Sequence, residues 1–67
     1  MSYPKLRGMI REKFGTQAAF AEALDMSENT LSCKLNGKTE WSRSEIETAC
    51  KLLDIPMTEA HAYFFAG

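Results

Sequence analysis

The chain has 67 residues, 45% of them hydrophobic, and its eight Lys and Arg against nine Asp and Glu leave a net charge of −1. That length allows one domain with one small core, burying about 60% of the surface that the unfolded chain exposes, and leaves little room for a substrate pocket. The opening "MSYPKLRGMIREKFG" carries charges every few positions, which argues against a signal peptide or membrane span there and for a cytoplasmic protein with Cys33 and Cys50 as free thiols.

No segment alternates apolar and polar residues; the period throughout is helical, which predicts an all-α bundle of about five helices. "PKLRGMIREKF" sets Leu6, Met9, Ile10 and Phe14 on one face and predicts a helix over 4–14, with Pro4 in the first turn and Gly15 as the stop. Thr16 caps a second helix over 17–24, in which Phe20 and Leu24 face inward and Ala21 leaves room for another helix. Asp25 and Met26 make a very short turn. Ser27 caps a third helix over 28–36, with Leu31 and Leu35 inward and Gly37 at its end.

"KTEW" reads as a loop. Ser42 and Glu45 have the spacing of a capping box, opening a helix over 43–53 with Ile46, Ala49, Cys50 and Leu53 on its apolar stripe. "DIP" ends it, and "TEAHAYFF" predicts a last short helix over 58–65. Leu6, Ile10, Phe20, Leu24, Leu31, Leu35, Ile46, Leu53 and Ile55 are the expected core, Met9, Met26 and Met57 belong in the core or at its edge, and Trp41 should pack over the loop. His61 is expected on the surface, and Lys5, Arg7 and Arg11 on a solvated face of the first helix.

Charge is unevenly spread. Residues 1–38 hold six basic and four acidic residues, and residues 39–67 hold two basic and five acidic. A locally basic surface is therefore compatible with an acidic total. The second and third helices, joined by a turn of about three residues, have the form of a helix-turn-helix. With Leu31 and Leu35 inward, Asn29 and Cys33 point away, flanked by Glu28 and Ser32 on one side and Thr30 and Lys34 on the other. A polar face of that kind suits a DNA major groove.

"TQAAFAEALDMSENTLSCKLNGKT" resembles the helix-turn-helix of the Cro/CI (XRE-type) family of phage repressors and bacterial regulators. The Gln that opens the second helix, the Ala at its joint, the buried Leu of the third and the closing "NGKT" carry the likeness. Two positions depart from the pattern. Asp25 stands where the family usually has Gly, and Asp tolerates a left-handed backbone better than most residues. Lys34 stands where an apolar residue is common; either the helix is rotated slightly or Leu35, next to it, takes over the packing.

The resemblance implies a sequence-specific transcriptional regulator, a repressor, that binds double-stranded operator DNA. Ser27, Glu28, Asn29, Ser32 and Cys33 would face base edges, with Asn29 suited to adenine and Glu28 to the cytosine amino group. Gln17, Lys34, Asn36, Lys38, Thr39 and Arg43 would hold phosphates. Such regulators commonly bind palindromic sites as dimers, which points to a weak homodimer built on the aromatic end, Tyr63, Phe64 and Phe65, of which one or two should close the core while Phe65 or Tyr63 centres the contact.

Catalysis is not expected: no spacing joins the cysteines, the single His and the carboxylates, and phosphate loops and metal motifs are absent. Neither a cofactor, a metal nor a small-molecule ligand is implied. The rival class is a helix-turn-helix protein-interaction module, an adaptor or antitoxin-like protein without specific DNA reading, for which the acidic C-terminal half would suit a basic partner. The polar face of the third helix, with Gln17, Lys34 and Lys38 around it, separates the two classes.

Overall fold

The computed structural model describes residues 3–64. Within them every regular element is helical: α1 Pro4–Phe14, α2 Gln17–Ala23, α3 Glu28–Leu35, α4 Arg43–Leu53, then a 3₁₀ turn Met57–Glu59 that runs into α5 Ala60–Phe64. The predicted bounds of the first and fourth helices coincide with α1 and α4, and those of the second and third exceed α2 and α3 by one residue, the usual uncertainty at a fraying end. The last helix differs more. It opens as a 3₁₀ turn in which the Glu59 N–H donates to the Pro56 carbonyl at 2.8 Å, and the end expected at residue 65 lies outside the described residues.

Local chemistry explains the boundaries. Pro4 occupies the first turn of α1, where a missing N–H costs nothing. Gly15 ends the helix at φ 84°, its N–H on the Arg11 carbonyl, a conformation that glycine adopts without a side-chain clash. The Thr16 hydroxyl accepts from the Ala19 N–H at 3.1 Å, and the Ser27 hydroxyl from the Thr30 N–H at 3.1 Å. Ser42 and Glu45 form the predicted capping box at the start of α4, each side chain accepting from the other's otherwise orphaned backbone N–H.

α1 packs on α2, α4 and α5, and α2 packs on α3. One apolar core joins Leu6, Ile10, Phe20, Ala21, Leu31, Leu35, Ile46, Ala49, Cys50, Leu53, Ile55, Ala60 and Phe64. Leu24, expected inside, is half-buried because it caps the end of α2, where the chain turns away from the core. Met57, expected at the core or its edge, is exposed on the 3₁₀ turn. Gly8 lies in the middle of α1 and is exposed, and a Cβ there would meet nothing within 4 Å. A mid-helix glycine is about 1 kcal/mol less favourable than alanine, and no packing among the described residues offsets this cost.

Candidate recognition surface on α2 and α3

The connection from α2 to α3 is tight. Asp25 takes the left-handed backbone, φ 60°, at the position that a Gly would otherwise fill, and the Met26 N–H returns to the Ala21 carbonyl at 3.0 Å. The buried Phe20 and Ala21 then face the buried Leu31 and Leu35. With that side fixed, Glu28, Asn29 and Thr30 are exposed, and Ser32 and Cys33 are half-buried beside them. Ser27 is exposed, but its hydroxyl is engaged at the cap: it accepts from the Thr30 N–H and donates to the Thr30 hydroxyl at 2.8 Å.

Lys34 departs from the role given to it as a phosphate clamp. It is 7% exposed. Its ammonium pairs with Glu45 Oε1 at 2.9 Å, donates to the Glu40 carbonyl at 3.0 Å and lies 5.8 Å from the centre of the Trp41 ring. It does occupy the apolar position, and Leu35 is buried with it rather than in its place. The pair and the backbone acceptor compensate the desolvated charge, and the aromatic face adds a cation–π contact. The same Glu45 oxygen accepts the Ser42 N–H at 2.9 Å, so one carboxylate fastens α3 to the start of α4. Hydrogen bonding from the Ser42 backbone, then from Lys34, holds the Glu45 carboxyl below its ordinary range. Burial pushes the Cys50 thiol up.

The other phosphate candidates fall into three states. Lys38 and Thr39 are exposed in the loop beyond Gly37. Arg43 is exposed but pairs with Glu47 at 3.3 Å. Asn36 donates to the Ser32 hydroxyl at 3.4 Å, while its carbonyl accepts from Arg7 at 2.9 Å. That arginine, placed on a solvated face from the sequence, also donates to the Leu35 carbonyl at 2.8 Å and so neutralises the negative end of α3. Its partners lie 28 and 29 residues away, which no local pattern in the sequence reports.

Acidic residues gather here as well. Glu22, Asp25 and Glu28 line one shallow depression over the turn together with Ala18, Met26 and Ser27. The locally basic surface that the charge distribution allows is therefore not what the turn presents. A second cleft, between α1 and the start of α2, brings half-buried Gln17 together with Glu28, Gly8 and Arg11.

At the aromatic end, Phe64 turns inward. Phe64 is 2% exposed and meets the Trp41 ring edge-on at 5.0 Å, so it closes the core rather than an interface. Tyr63 is half-buried with the Lys5 ammonium 5.6 Å from its ring centre. Phe65 lies outside the described residues.

An all-α bundle with a polar surface on a tightly joined helix pair is the class that these features define. The chain belongs to the family described as "Protein of unknown function (DUF739)", which it matches over residues 1–67. Among solved proteins it is similar to the modulator of repression (MOR) of the temperate bacteriophage TP901-1 from Lactococcus lactis, with 43% identity over 97% of this chain and 88% of that one and a TM-score of 0.86. No curated protein matches it. Among the described residues, no helix is long and apolar enough to cross a membrane.

Proposed function

We propose that this chain is a non-catalytic, cytoplasmic regulator of phage gene expression that modulates repression by binding a repressor protein through the surface of α2, the turn and the start of α3. The likeness to a phage modulator of repression supports the regulatory role. One observation favours a protein partner over DNA: the basic residue best placed beside α3, Lys34, is buried and neutralised, while Glu22, Asp25 and Glu28 share the outer surface. A polyanion is attracted by several unpaired cations. Among the three basic residues assigned to phosphates, Lys38 is the one exposed without an ion pair among the described residues. An acidic surface instead complements the basic groove-facing side that a repressor turns to its operator.

The second reading is direct, Cro/CI-like recognition of a palindromic operator by a weak homodimer. The capped α2 and α3, joined through left-handed Asp25, support it, with Gln17, Asn29, Cys33, Lys38 and Thr39 on the outer side. Tyr63 is then the remaining described candidate for the dimer contact. Neither reading calls for a cofactor.

A titration separates them. A phage repressor from the same genome is bound to its operator, and the chain is added at rising concentration. On the partner reading, repressor–operator binding changes, while the chain alone leaves the same duplex unshifted. A saturable, sequence-selective shift by the chain alone, with no effect on the repressor, overturns it in favour of direct DNA reading.

A further inference from the structure

Gly8 and the cleft around it have no role in the surface described so far. The glycine is exposed in the middle of α1, has a helical backbone, and a Cβ on it would touch nothing within 4 Å. Neither a turn nor a close approach among the described residues requires it. What its missing side chain does is deepen the cleft between α1 and the start of α2, whose lining carries Arg7, Arg11, Gln17 and Glu28; Arg7 is already engaged with the Leu35 carbonyl and the Asn36 side chain. Arg11 and Glu28 are both exposed and neither has an ion pair among the described residues. Glycine is the residue that lets another backbone come close, and small residues allow close docking at the cost of local stability.

We propose that the Gly8 cleft seats a segment of the partner protein, which places a carboxylate against Arg11 and a basic group against Glu28. This rests on the protein-partner reading above. The mixed charge selects that class of occupant: a nucleic-acid backbone presents one sign only and would meet Glu28 with repulsion, whereas a protein segment supplies both signs. The site adjoins the acidic depression through Glu28, which borders both, so the docking surface runs continuously from the turn onto α1.

The glycine gives a test in which folding and binding move in opposite directions. Gly8→Gln fills the cleft with a good helix former. Its melting temperature should rise by about 3–8 °C, while its effect on the repressor–operator complex should weaken at least tenfold. Gly8→Ala should rise similarly in melting temperature and lose less activity. Arg11→Glu should also lose activity, without a rise in melting temperature. If the wild type changes repressor binding and Gly8→Gln does so equally, the cleft is not the docking seat, although the partner reading stands. If the wild type leaves the repressor untouched, both fall. If Gly8→Gln instead weakens direct binding of the chain to duplex, the cleft holds a phosphate and the proposal is overturned.

Discussion

On the inner side of α3, Leu31, Lys34 and Leu35 are all buried, and the one charge among them is matched by a carboxylate, a carbonyl and an aromatic face. On the outer side, Glu28, Asn29 and Thr30 are exposed, and their side chains have little structural work beyond the cap hydrogen bond to Thr30. The same helix thus carries a stripe whose residues are fixed by folding and a stripe that folding leaves open to selection for binding. Lys34 and Lys38, alike in sequence, fall on opposite sides of this division. A lysine's role follows from the partners within reach of its ammonium, not from its charge.

The largest test of the division is Leu31→Ala. Leu31 is fully buried, so truncation should cost about 3 kcal/mol. For a domain of this size, with roughly 5 kcal/mol in total, that leaves a marginal fold. Urea denaturation measures it, and a loss below about 1 kcal/mol would show that the inner stripe is not the packed side.

Next is the Lys34–Glu45 pair. Glu45→Ala leaves the Lys34 ammonium buried without its counterion and also breaks the capping box. We expect a loss of about 2–3 kcal/mol, below the full range for buried pairs because Glu45 is partly solvated. Lys34→Met keeps the volume, removes the desolvated charge and should be near neutral in stability. An equal loss in the two variants would mean that the ammonium contributes specific bonds that an apolar chain cannot replace.

The pair also predicts an acid response. Because the folded Glu45 carboxyl lies below its ordinary value of 4.5, its contribution is fully present above that pH and is lost as pH falls through the lower folded value. Stability should therefore decline on acidification below about pH 4.5, and Glu45→Gln should flatten that part of the curve. An unchanged slope in the variant would show that other carboxylates carry the acid sensitivity.

How much of this was legible follows from where each cause lies. Caps at Thr16, Ser27 and Ser42, the stop at Gly15 and the left-handed Asp25 were readable because each depends on residues within a few positions. So was most of the core, through helical spacing. Lys34 was misplaced because a wheel separates apolar from charged types and cannot show that Glu45 and Trp41 will surround the ammonium. Arg7 was missed because its acceptors lie across the fold. Three consecutive aromatics do not show which of them closes the core, because that depends on which one meets Trp41 across the fold. The outer stripe of α3 is legible in the sequence as a set of exposed positions. Its electrostatic sign is not, since it depends on one lysine turning inward and on Glu22, Asp25 and Glu28 converging over the turn.

The smallest expected effect on folding is the most informative about function. Asn29 and Lys38 are exposed, so Asn29→Ala and Lys38→Ala should each change stability by less than about 0.5 kcal/mol. If the outer stripe reads DNA, the two variants part company in binding. Asn29→Ala should then cost about 1–3 kcal/mol on a selected site and relax preference at one base pair. Lys38→Ala should weaken all duplexes alike and lower the salt slope by about one unit. If the outer stripe meets a repressor instead, neither variant has a DNA signature, and both are scored by their effect on the repressor–operator complex. Glu28→Lys sharpens the contrast. It removes repulsion towards a phosphate backbone and reverses the sign offered to a basic protein surface, so it should strengthen duplex binding on the DNA reading and abolish modulation on the partner reading. A variant that strengthened modulation would break the assignment of the acidic outer surface to a basic partner.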